Sequence, residues 1–558
     1  MEKTILMYTP KRNTEVWGYI DGDCVEVAWN KKTYKLTPVA SYVWERCNGC
    51  VTVGEIVNDL VKTNNELLEK IKADVLELLE SWKRDNLLIM NYHSLHSESE
   101  YDDSLVYNIE ANVAPPVDVL LLSPPSPSPY AHRDVKLDPL GIGYLSAFLK
   151  SNGYSVAIMD LWVNQLNPAT INDFVSRYSP KIIGISTKTV NFENGVKIAE
   201  IIKKISDDIV IIFGGYHVTF VDEEALTQNK AIDIVVRGEG EYTILELVDH
   251  FLHNIGTLNE IDGITYRDNG EIIRTRDRVL ICDLDSLPFP DRISIKKDVP
   301  MGVQTSRGCP GKCIFCSARG LSGGRYRQRT AENIVSEVEV LLNRGANHIF
   351  FQDDTITIDL KRLNKILDLI EKKGLRFKWN AESRVDAIEK DPSIIRRMIN
   401  AGCVGLQFGI ESGSQMILDF IRKNISIEQI YNAVTLVGRE GIELRCSFLI
   451  GHPFETYDTM LETVNLAKDI IDLGAMSMLA VVCPFPGSSI FEKPEYYKVN
   501  INNYYYTNYS PQSPVMDLVN LTAKQLKKYH YIYANELNDY LKQYKVKQST
   551  QRAVLGLG

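Results

Sequence analysis

The sequence predicts a multidomain α/β protein, and three observations support that fold class. A chain of 558 residues is too long for a single hydrophobic core. Continuous apolar strands alternate with helical segments twice along the chain, a pattern typical of parallel sheets. The composition, with 44% hydrophobic and 24% charged residues, is that of a folded globular protein. The predicted order is a small α+β domain (1–92), a linker (93–116), a doubly wound Rossmann-like domain (117–285), a partial (β/α)6 barrel (286–490) and a Tyr-rich helical extension (491–558).

The overall charge and the start of the chain argue against two classes of partner. A net charge of −10 disfavours general nucleic-acid binding. The opening "MEKTILMYTPKR" lacks the apolar centre of a signal peptide, and no apolar run reaches the ~18 residues of a membrane span. We therefore expect a cytoplasmic protein with no nucleic-acid or membrane partner. Its ten cysteines should be reduced thiols, catalysts or metal ligands rather than disulfides.

The N-terminal domain combines a hairpin pattern with amphipathic helices. "TEVWGYIDGDCVEVAW" alternates in polarity around a turn at Asp21-Gly22-Asp23. Apolar residues then recur every three to four positions, which predicts helices in "LTPVASYVWERCN", "TVGEIVNDLVKT" and "LLEKIKADVLELLESWKRDN". The nearby pair Cys47 and Cys50 has no second cysteine pair beside it, so buried thiols are favoured over a zinc or redox site. The polar, acidic segment that follows is typical of a linker.

The next domain begins at Val117 with the first of five apolar strands. These are "VDVLLLS", "SVAIMD", "KIIGIS", "DIVIIFGG" and "DIVVRGEG". Doubly wound sheets bind ligands at the carboxyl ends of their strands. No G-x-G-x-x-G motif opens the first helix, so a dinucleotide is disfavoured. The glycines that cluster at the later strand ends would let a large flat ligand approach the backbone.

The third domain repeats the strand–helix alternation six times, which predicts a partial barrel with its chemistry at the C-terminal mouth. Its strands are "GVQTSRG", "HIFFQDD", "FKWNAESR", "GLQFGIESG", "ELRCSFLIG" and "MSMLAVVC". The loop after the first strand carries Cys309, Cys313 and Cys316 in a C-x3-C-x2-C spacing. Three thiolates can hold a four-iron cluster and leave one iron open to a small molecule. A closed zinc site would need a fourth ligand.

This spacing, with Phe315 before the last cysteine, resembles the radical S-adenosylmethionine (SAM) superfamily. The resemblance implies a [4Fe–4S] cluster on Cys309, Cys313 and Cys316, whose open iron is chelated by SAM. It also implies a 5′-deoxyadenosyl radical and a low-potential electron donor such as ferredoxin or flavodoxin. Polar residues at the later strand ends are then expected to contact SAM. They are Asp353, Asp354, Glu382, Arg384, Glu411, Ser412, Gly451 and Pro453.

The patterns "DPLGIGYLSAFL", "GGxH" and "RGEGE" resemble the cobalamin-binding domain of cobalamin-dependent radical enzymes. The D-x-H-x-x-G motif of better-known cobalamin domains is absent, so we expect no lower cobalt ligand from this domain. His217 is expected to contact the corrin loop or tail. The predicted cobalamin residues are Ser123, Pro124, Leu140, Gly141, Ser186, Thr187, Gly214, Gly215, His217, Gly238, Glu239, Gly240 and Glu241.

The N-terminal helices resemble the winged-helix RiPP recognition element, the module also known as PqqD. The residues that carry this resemblance are "LTPVASYVWERCNGCVTVGEIVNDL" and "IKADVLELLESWKRDNLL". The resemblance implies that the leader of a precursor peptide adds a strand to the hairpin and packs along a helix. DNA binding is the alternative for a winged helix, but the candidate helices are not notably basic.

Together these resemblances predict an enzyme that modifies a ribosomally made precursor peptide, most simply by C-methylation with two SAM molecules per turnover. The alternatives are cyclisation, epimerisation or rearrangement of a peptide or a small natural product, with cobalamin as electron or radical mediator. A cobalamin-dependent regulator is a more distant alternative. Tyr326, Cys446 and Cys483 are weaker candidates for facing the active site, and the C-terminal extension is expected to pack on the surface or to cover substrate.

Overall fold

The chain folds into two compact units in the computed structural model. The first unit contains Met1–Val106, and the second contains Tyr107–Ser126, Asp134–Trp162 and Asn167–Gly558. The structure describes residues 9–12, 17–21, 24–29, 32–36, 68–84, 88–91, 108–109, 114–126, 139–161, 168–295, 297–503 and 506–554, with six helical positions between 40 and 60. No helix among these residues is long and apolar enough to cross a membrane.

The first unit contains the predicted hairpin and the third predicted helix. Its elements are β1 (Thr9–Arg12), β2 (Trp17–Asp21), β3 (Cys24–Trp29), β4 (Lys32–Lys35), α1 (Leu68–Arg84) and β5 (Leu88–Asn91). Strand β3 lies between β2 and β4, and β1 pairs with β5. Asp21 pairs with Cys24, and the residues of the predicted turn between them lie outside the described residues. Trp44 and Trp82 pack edge to face with ring centroids 5.1 Å apart, which places a helical residue of each segment in one core.

Cys47 and Cys50 lie outside the described residues. The helix bounds around them likewise stay predictions.

The second unit begins with an eight-stranded sheet that contains the five predicted strands. The strands are β6 (Asn108–Ile109), β7 (Val119–Ser123), β8 (Val156–Asp160), β9 (Ile182–Ser186), β10 (Val210–Gly214), β11 (Ile234–Val236), β12 (Ile264–Asp268) and β13 (Glu271–Arg274). The helices are α2 (Leu140–Ser151), α3 (Pro168–Tyr178), α4 (Phe192–Ile205), α5 (Tyr216–Phe220), α6 (Asp222–Gln228) and α7 (Glu241–His253). Every residue of β7 and β8 is buried, as expected for a sheet covered on both faces.

The strand order of this sheet is β13-β12-β11-β10-β9-β7-β8-β6. The five central strands are parallel, and the order reverses between β7 and β9. Ligands of open α/β sheets bind at such a switch point, beyond the carboxyl ends of the strands. Strand β6 falls inside the predicted linker, because its two residues complete the open edge of β8 and carry no sequence pattern of their own.

The barrel consists of six parallel strands in sequential order, as predicted. The strands of this region are β14 (Met301–Val303), β15 (Ser306–Arg307), β16 (Arg327–Gln328), β17 (His348–Phe351), β18 (Lys378–Ser383), β19 (Cys403–Glu411), β20 (Glu443–Ile450), β21 (Met476–Val481), β22 (Asn500–Ile501) and β23 (Met516–Asp517). The barrel sheet runs β14-β17-β18-β19-β20-β21. The predicted first strand is split, because Ser306 and Arg307 leave the sheet and pair with β16 instead.

Helices cover the outside of the barrel, and a long helix closes the chain. The helices are α8 (Ala318–Ser322), α9 (Ala331–Asn343), α10 (Leu360–Lys372), α11 (Val385–Lys390), α12 (Ser393–Asn400), α13 (Gln415–Phe420), α14 (Ile427–Arg439), α15 (Tyr457–Asp472), α16 (Ser489–Glu492) and α17 (Ala523–Val554). Along β20 every second residue is buried in the core beneath the helices, and the residues between them face the lumen. The predicted C-terminal helix is α17.

Candidate active site

The three cysteines lie on the loop between β15 and α8, at the mouth of the barrel. Gly311 lies between the first two: a Cβ there would be 3.2 Å from the Cys309 sulfur and 4.0 Å from that of Cys313. Burial, together with the nearby Asp354, Cys313 and Cys309, raises the pKa of Cys316 to about 11. The three thiols are therefore close neighbours, and metal binding would have to ionise them. Three thiols on one glycine-containing loop fit a four-iron cluster.

Within the described part of the chain, no three His, Cys, Asp or Glu side chains are arranged around a single ion. The thiols of an iron–sulfur cluster each ligate a different iron, so they need not lie within the ligand sphere of one metal.

Asp353, at the end of β17, holds the start of the cysteine loop. One carboxylate oxygen accepts hydrogen bonds from the backbone N–H groups of Thr305 and Ser306, at 2.6 and 3.0 Å. The other accepts from both hydroxyls and lies 3.8 Å from Arg362. Its side chain has no exposed surface, so we expect Asp353 to hold the cysteine loop, and its predicted contact with SAM stays a prediction. Burial raises the pKa of Asp353, and the hydrogen bonds from Thr305 and Ser306 and the charge of Arg362 oppose that rise.

Asp354, Glu382 and Glu411 line the mouth from three successive strand ends. Burial, together with the charges of Asp354 and Glu411, raises the pKa of Glu382 to about 7. Glu411 adopts a positive φ of 74° and binds Lys423 Nζ at 2.7 Å. Left-handed backbone at a non-glycine residue costs roughly 1–3 kcal/mol and is concentrated at functional sites. Arg384 binds Asp386 at 2.8 Å and the Lys423 carbonyl at 3.3 Å.

The raised pKa of Glu382 predicts how SAM affinity depends on pH. A carboxylate attracts the ammonium group of SAM only when ionised, which for Glu382 requires a pH above about 7. We expect the dissociation constant of SAM to increase as the pH falls from 8 to 6, by about tenfold per unit below the pKa. Equilibrium binding of SAM to the cluster-loaded enzyme measures this. Glu382→Gln should flatten the profile; a pH profile identical to that of the wild type would contradict the assignment.

The last predicted SAM residues lie in tightly packed turns. Ser412 is fully buried and bonds Thr463 at 3.1 Å. Gly451 adopts a positive φ of 90°, which glycine tolerates best. Its N–H donates a hydrogen bond to the Glu455 carboxyl group. Burial raises the pKa of Glu455 to about 8. Pro453 is buried in the same turn. Gly451 and Pro453 therefore offer backbone to a ligand, whereas Ser412 serves the turn.

The switch point brings together four predicted cobalamin residues, Ser123 and Pro124 after β7 and Ser186 and Thr187 after β9. The Pro124 carbonyl accepts from Asn191 at 3.0 Å, which fixes the loop after β7. Gly215 has a φ of 98°, and a Cβ there would collide with the Thr187 backbone. A Cβ on Gly214 would have no neighbouring atom closer than 3.9 Å, so this strand end is open to a ligand.

His217 is buried between aromatic rings from two domains. Its ring centroid lies 4.5 Å from that of Phe192 and 4.3 Å from that of Tyr506 in the C-terminal extension. Neither imidazole nitrogen has a hydrogen-bond partner, and burial lowers its pKa to about 3. A neutral imidazole in this position contacts neighbours by packing, so the expected contact with the corrin tail stays a proposal. The extension thus packs over this part of the domain.

The RGEGE acids bind arginine side chains of the barrel, and their predicted contact with cobalamin stays a prediction. Glu239 binds Arg307 at 3.0 Å and Arg327 at 2.7 Å, and Glu241 binds Arg307 at 2.5 Å. Glu241 is buried and the other three side chains are partly buried, and each carboxylate is paired with a guanidinium group. Gly238, by contrast, has φ of 72° and open space where a Cβ would be. Gly240 precedes α7, and a Cβ on it would lie 3.4 Å from the Leu145 side chain.

The "DPLGIGYLSAFL" pattern also serves domain packing. Leu140 lies against barrel strand β14, where a Cβ on Gly302 would be 3.4 Å from it. Gly143 allows the Asp291 backbone to approach α2, with an N–H to carbonyl bond of 3.0 Å. Leu140 therefore packs at the junction of the two domains, and its predicted contact with cobalamin stays a prediction. Gly141 is exposed with open space around it and stays a candidate contact.

The carboxyl edges of the two parallel sheets meet at this junction. Phe220, from α5, packs on Gly320 beside the cysteine loop and on Gly487 beyond β21. Tyr216, two residues after β10, is half-exposed, and burial of its hydroxyl, followed by the nearby charges of Asp354 and Cys316, raises its pKa. The predicted cobalamin edge therefore faces the loop that carries the cysteines.

The three weaker catalytic candidates all have protein contacts, and a catalytic role for them stays a prediction. Tyr326 accepts a hydrogen bond from Arg362 at 2.9 Å, in the network beneath the cysteine loop. Cys446 is fully buried on the helix-facing side of β20. Cys483 donates to the Ser510 carbonyl at 3.1 Å and is covered by the C-terminal extension. Burial raises the pKa of both thiols.

Three site residues were not predicted from the sequence. Arg307 and Lys423 are basic residues outside the predicted contact positions, and only their partners in the fold reveal them. His452 is fully buried with both imidazole nitrogens unpaired, and its ring lies 5.5 Å from that of Phe315. The sequence signal that could have identified His452 is its position between Gly451 and Pro453, in the strand-end segment "LIGHPFET".

Three family models match separate parts of the chain. The radical SAM superfamily matches residues 303–467, the B12 binding domain matches 130–248, and coenzyme PQQ synthesis protein D (PqqD) matches 5–88. The radical SAM range contains the cysteine loop, and the B12 range contains four of the five central parallel strands, β8 to β11.

Relatives among named proteins agree with these matches. An uncharacterized methyltransferase of Pyrococcus horikoshii is 34% identical over 403 residues, which cover 70% of this chain and 85% of the relative. An anaerobic magnesium-protoporphyrin IX monomethyl ester cyclase of Rubrivivax gelatinosus is 29% identical, over 64% of this chain and 66% of the relative.

Two solved structures share the fold. The radical SAM methyltransferase TsrM of Kitasatospora setae superposes with a TM-score of 0.56 at 18% identity, over 68% of this chain and 76% of that one. The cobalamin-dependent radical enzyme OxsB superposes with a TM-score of 0.56 at 17% identity, over 89% and 70%. The chain therefore belongs to the cobalamin-dependent enzymes of the radical SAM superfamily, and its cofactors are a [4Fe–4S] cluster, S-adenosylmethionine and cobalamin.

Proposed function

We propose that this enzyme C-methylates a ribosomally synthesised precursor peptide and consumes two SAM molecules per methyl group. The observation that carries the proposal is the meeting of the two carboxyl edges, where Phe220 and Tyr216 of the cobalamin domain reach the cysteine loop. Methyl transfer to an unactivated carbon needs a radical source and a methyl donor within one cavity. The name of the Pyrococcus horikoshii relative, a methyltransferase, supports the same reaction class.

The residues of the chain have distinct parts in this proposal. Cys309, Cys313 and Cys316 would hold the cluster, which together with SAM and cobalamin supplies radical and methyl-transfer chemistry. Lys423 and Glu411 lie beside the cysteines as a buried ion pair and would orient the charged groups of SAM.

The remaining predicted residues bind and shield. Asp354 and Glu382 reach the same mouth and would hold the ammonium or ribose groups. The switch-point loops at Ser123 and Ser186 would receive the corrin and its tail. Tyr506 of the C-terminal extension covers His217 and excludes water from that side.

The peptide substrate is proposed from the N-terminal unit. The PqqD match covers 5–88, and the described three-stranded sheet has β2 and β4 at its edges. An edge strand offers unpaired backbone groups to an extended leader peptide. We propose that the leader binds there while the core peptide enters the mouth of the barrel. A ferredoxin or flavodoxin would supply the electron.

Anaerobic turnover with a precursor peptide encoded beside this gene tests the proposal. The reconstituted enzyme should yield peptide heavier by one methylene, with 5′-deoxyadenosine and S-adenosylhomocysteine in equal amounts. A peptide lacking its leader should react at least about tenfold more slowly, because leader binding raises the local concentration of the core. 5′-Deoxyadenosine without a methylene gain would contradict methylation.

Radical cyclisation is the second candidate, because three related proteins are named cyclases. Its product would lose two hydrogens and gain no carbon. The same mass spectrum therefore separates the two reactions.

A further inference from the structure

Arg307 joins the cobalamin domain to the cysteine loop. It lies two residues before Cys309, and each side of its guanidinium group has a partner. Nε donates to Gln304 at 3.2 Å, Nη1 donates to Glu239 at 3.0 Å and Nη2 donates to Glu241 at 2.5 Å. The two glutamates follow β11 in the cobalamin domain, so the fork of one arginine spans both domains.

A second arginine lies beside Arg307, and Glu239 supplies the negative charge that this pair of like charges needs. In the short ladder of β15 and β16, Arg307 is paired directly with Arg327, and like charges in that position repel. Glu239 lies between them and binds Arg327 at 2.7 Å through its second oxygen, which also accepts the Ile281 N–H at 2.8 Å. The ring of Tyr144 lies 5.2 Å from the guanidinium carbon of Arg307.

The four charged side chains are shielded from solvent, with 14% exposure for Arg307, 10% for Arg327, 9% for Glu239 and 5% for Glu241. Ion pairs at such burial are weakly screened and hold their geometry. Glu241 is also the first residue of α7, where the helix dipole favours a negative charge. The connection from the cobalamin sheet to the cysteine loop is therefore short and rigid.

We propose that Arg307, Arg327, Glu239 and Glu241, here named the interdomain clasp, are positioning residues that set the separation of cobalamin from the cluster. The proposal rests on the proposed function only in that both cofactors act in one turnover. A change in the clasp would move the cysteine loop relative to the cobalamin edge. Displacements of about 1 Å between reacting groups can cost two orders of magnitude in rate.

Glu241→Gln and Arg307→Lys test the clasp in the full-length, cofactor-loaded enzyme. Glutamine keeps the shape of Glu241 and removes its charge, and lysine can reach only one of the two glutamates. Both variants should retain the iron and cobalamin content of the wild type. We expect weaker spin coupling between cob(II)alamin and the reduced cluster in the electron paramagnetic resonance spectrum. We also expect about tenfold less product per 5′-deoxyadenosine.

Glu246→Gln is the matched control, because it breaks the Arg278–Glu246 ion pair inside the cobalamin domain. It should leave both the spin coupling and the product yield unchanged. The double variant Arg307→Lys/Glu241→Gln should be little worse than either single variant, since both remove the same contact.

Unchanged spin coupling and yield in loaded Glu241→Gln and Arg307→Lys would overturn the proposal. If a variant lost cobalamin while its cluster stayed intact, the positioning proposal would be overturned, and the clasp residues would instead be needed for cobalamin binding. If one variant does not fold, the other decides. The spectrum does not depend on which product forms, so normal wild-type coupling without methylated peptide would contradict only the proposed function.

Discussion

Cys313→Ala should abolish SAM cleavage and all product formation. Loss of one thiolate removes one of the three protein anchors of the cluster, and Cys313 lies between the other two in the loop. We expect turnover to fall at least about a thousandfold, equivalent to roughly 4 kcal/mol of activation free energy. The measurements are iron and sulfide content after anaerobic reconstitution and 5′-deoxyadenosine formation. Cys309→Ala and Cys316→Ala should behave alike.

Cys282→Ala is the control for thiol loss, because Cys282 is exposed and lies outside the cysteine loop. It should keep wild-type iron content and turnover. A Cys313→Ala enzyme that still contained four irons per chain and cleaved SAM would refute the assignment of the cluster ligands.

Asp353→Ala should release the cysteine loop. The substitution removes the acceptor of four hydrogen bonds from Thr305 and Ser306 and leaves Arg362 buried beside an empty space. Loss of one partner of a buried ion pair typically costs about 3–5 kcal/mol. We expect a lower free energy of unfolding by that amount and a cluster content well below that of the wild type.

Asp353→Asn separates the two roles considered for this residue. Its amide oxygen can still accept from the two backbone N–H groups, so the loop and the cluster should largely survive. If Asp353 instead bound SAM, the alanine variant would keep its full iron content and lose SAM affinity alone. Iron analysis and equilibrium binding of SAM distinguish these outcomes.

The two acids at the end of β17 show where prediction from sequence stops. Asp353 and Asp354 are adjacent and chemically identical, and both follow a strand at the barrel mouth. Successive residues point in opposite directions at a strand end, so one carboxylate turns inward to the cysteine loop and the other reaches the mouth. Glu239 and Glu241 show the same limit of prediction. The RGEGE pattern indicates a strand-end loop, but it does not indicate that both carboxylates bind Arg307.

The sequence by itself predicted the multidomain α/β class, the six-stranded barrel and the doubly wound sheet, and the resemblance of its motifs to known families predicted the cofactors. Each depends on local information: apolar periodicity selects strands and helices, and the C-x3-C-x2-C spacing fixes three thiols on one loop. The tertiary structure alone decided which polar residues remain available to ligands. Arg307, Lys423 and His452 acquire their surroundings from segments distant in the chain, and no local pattern encodes those contacts. Cys446 and Cys483 became core residues for the same reason, because burial is set by how elements pack against each other.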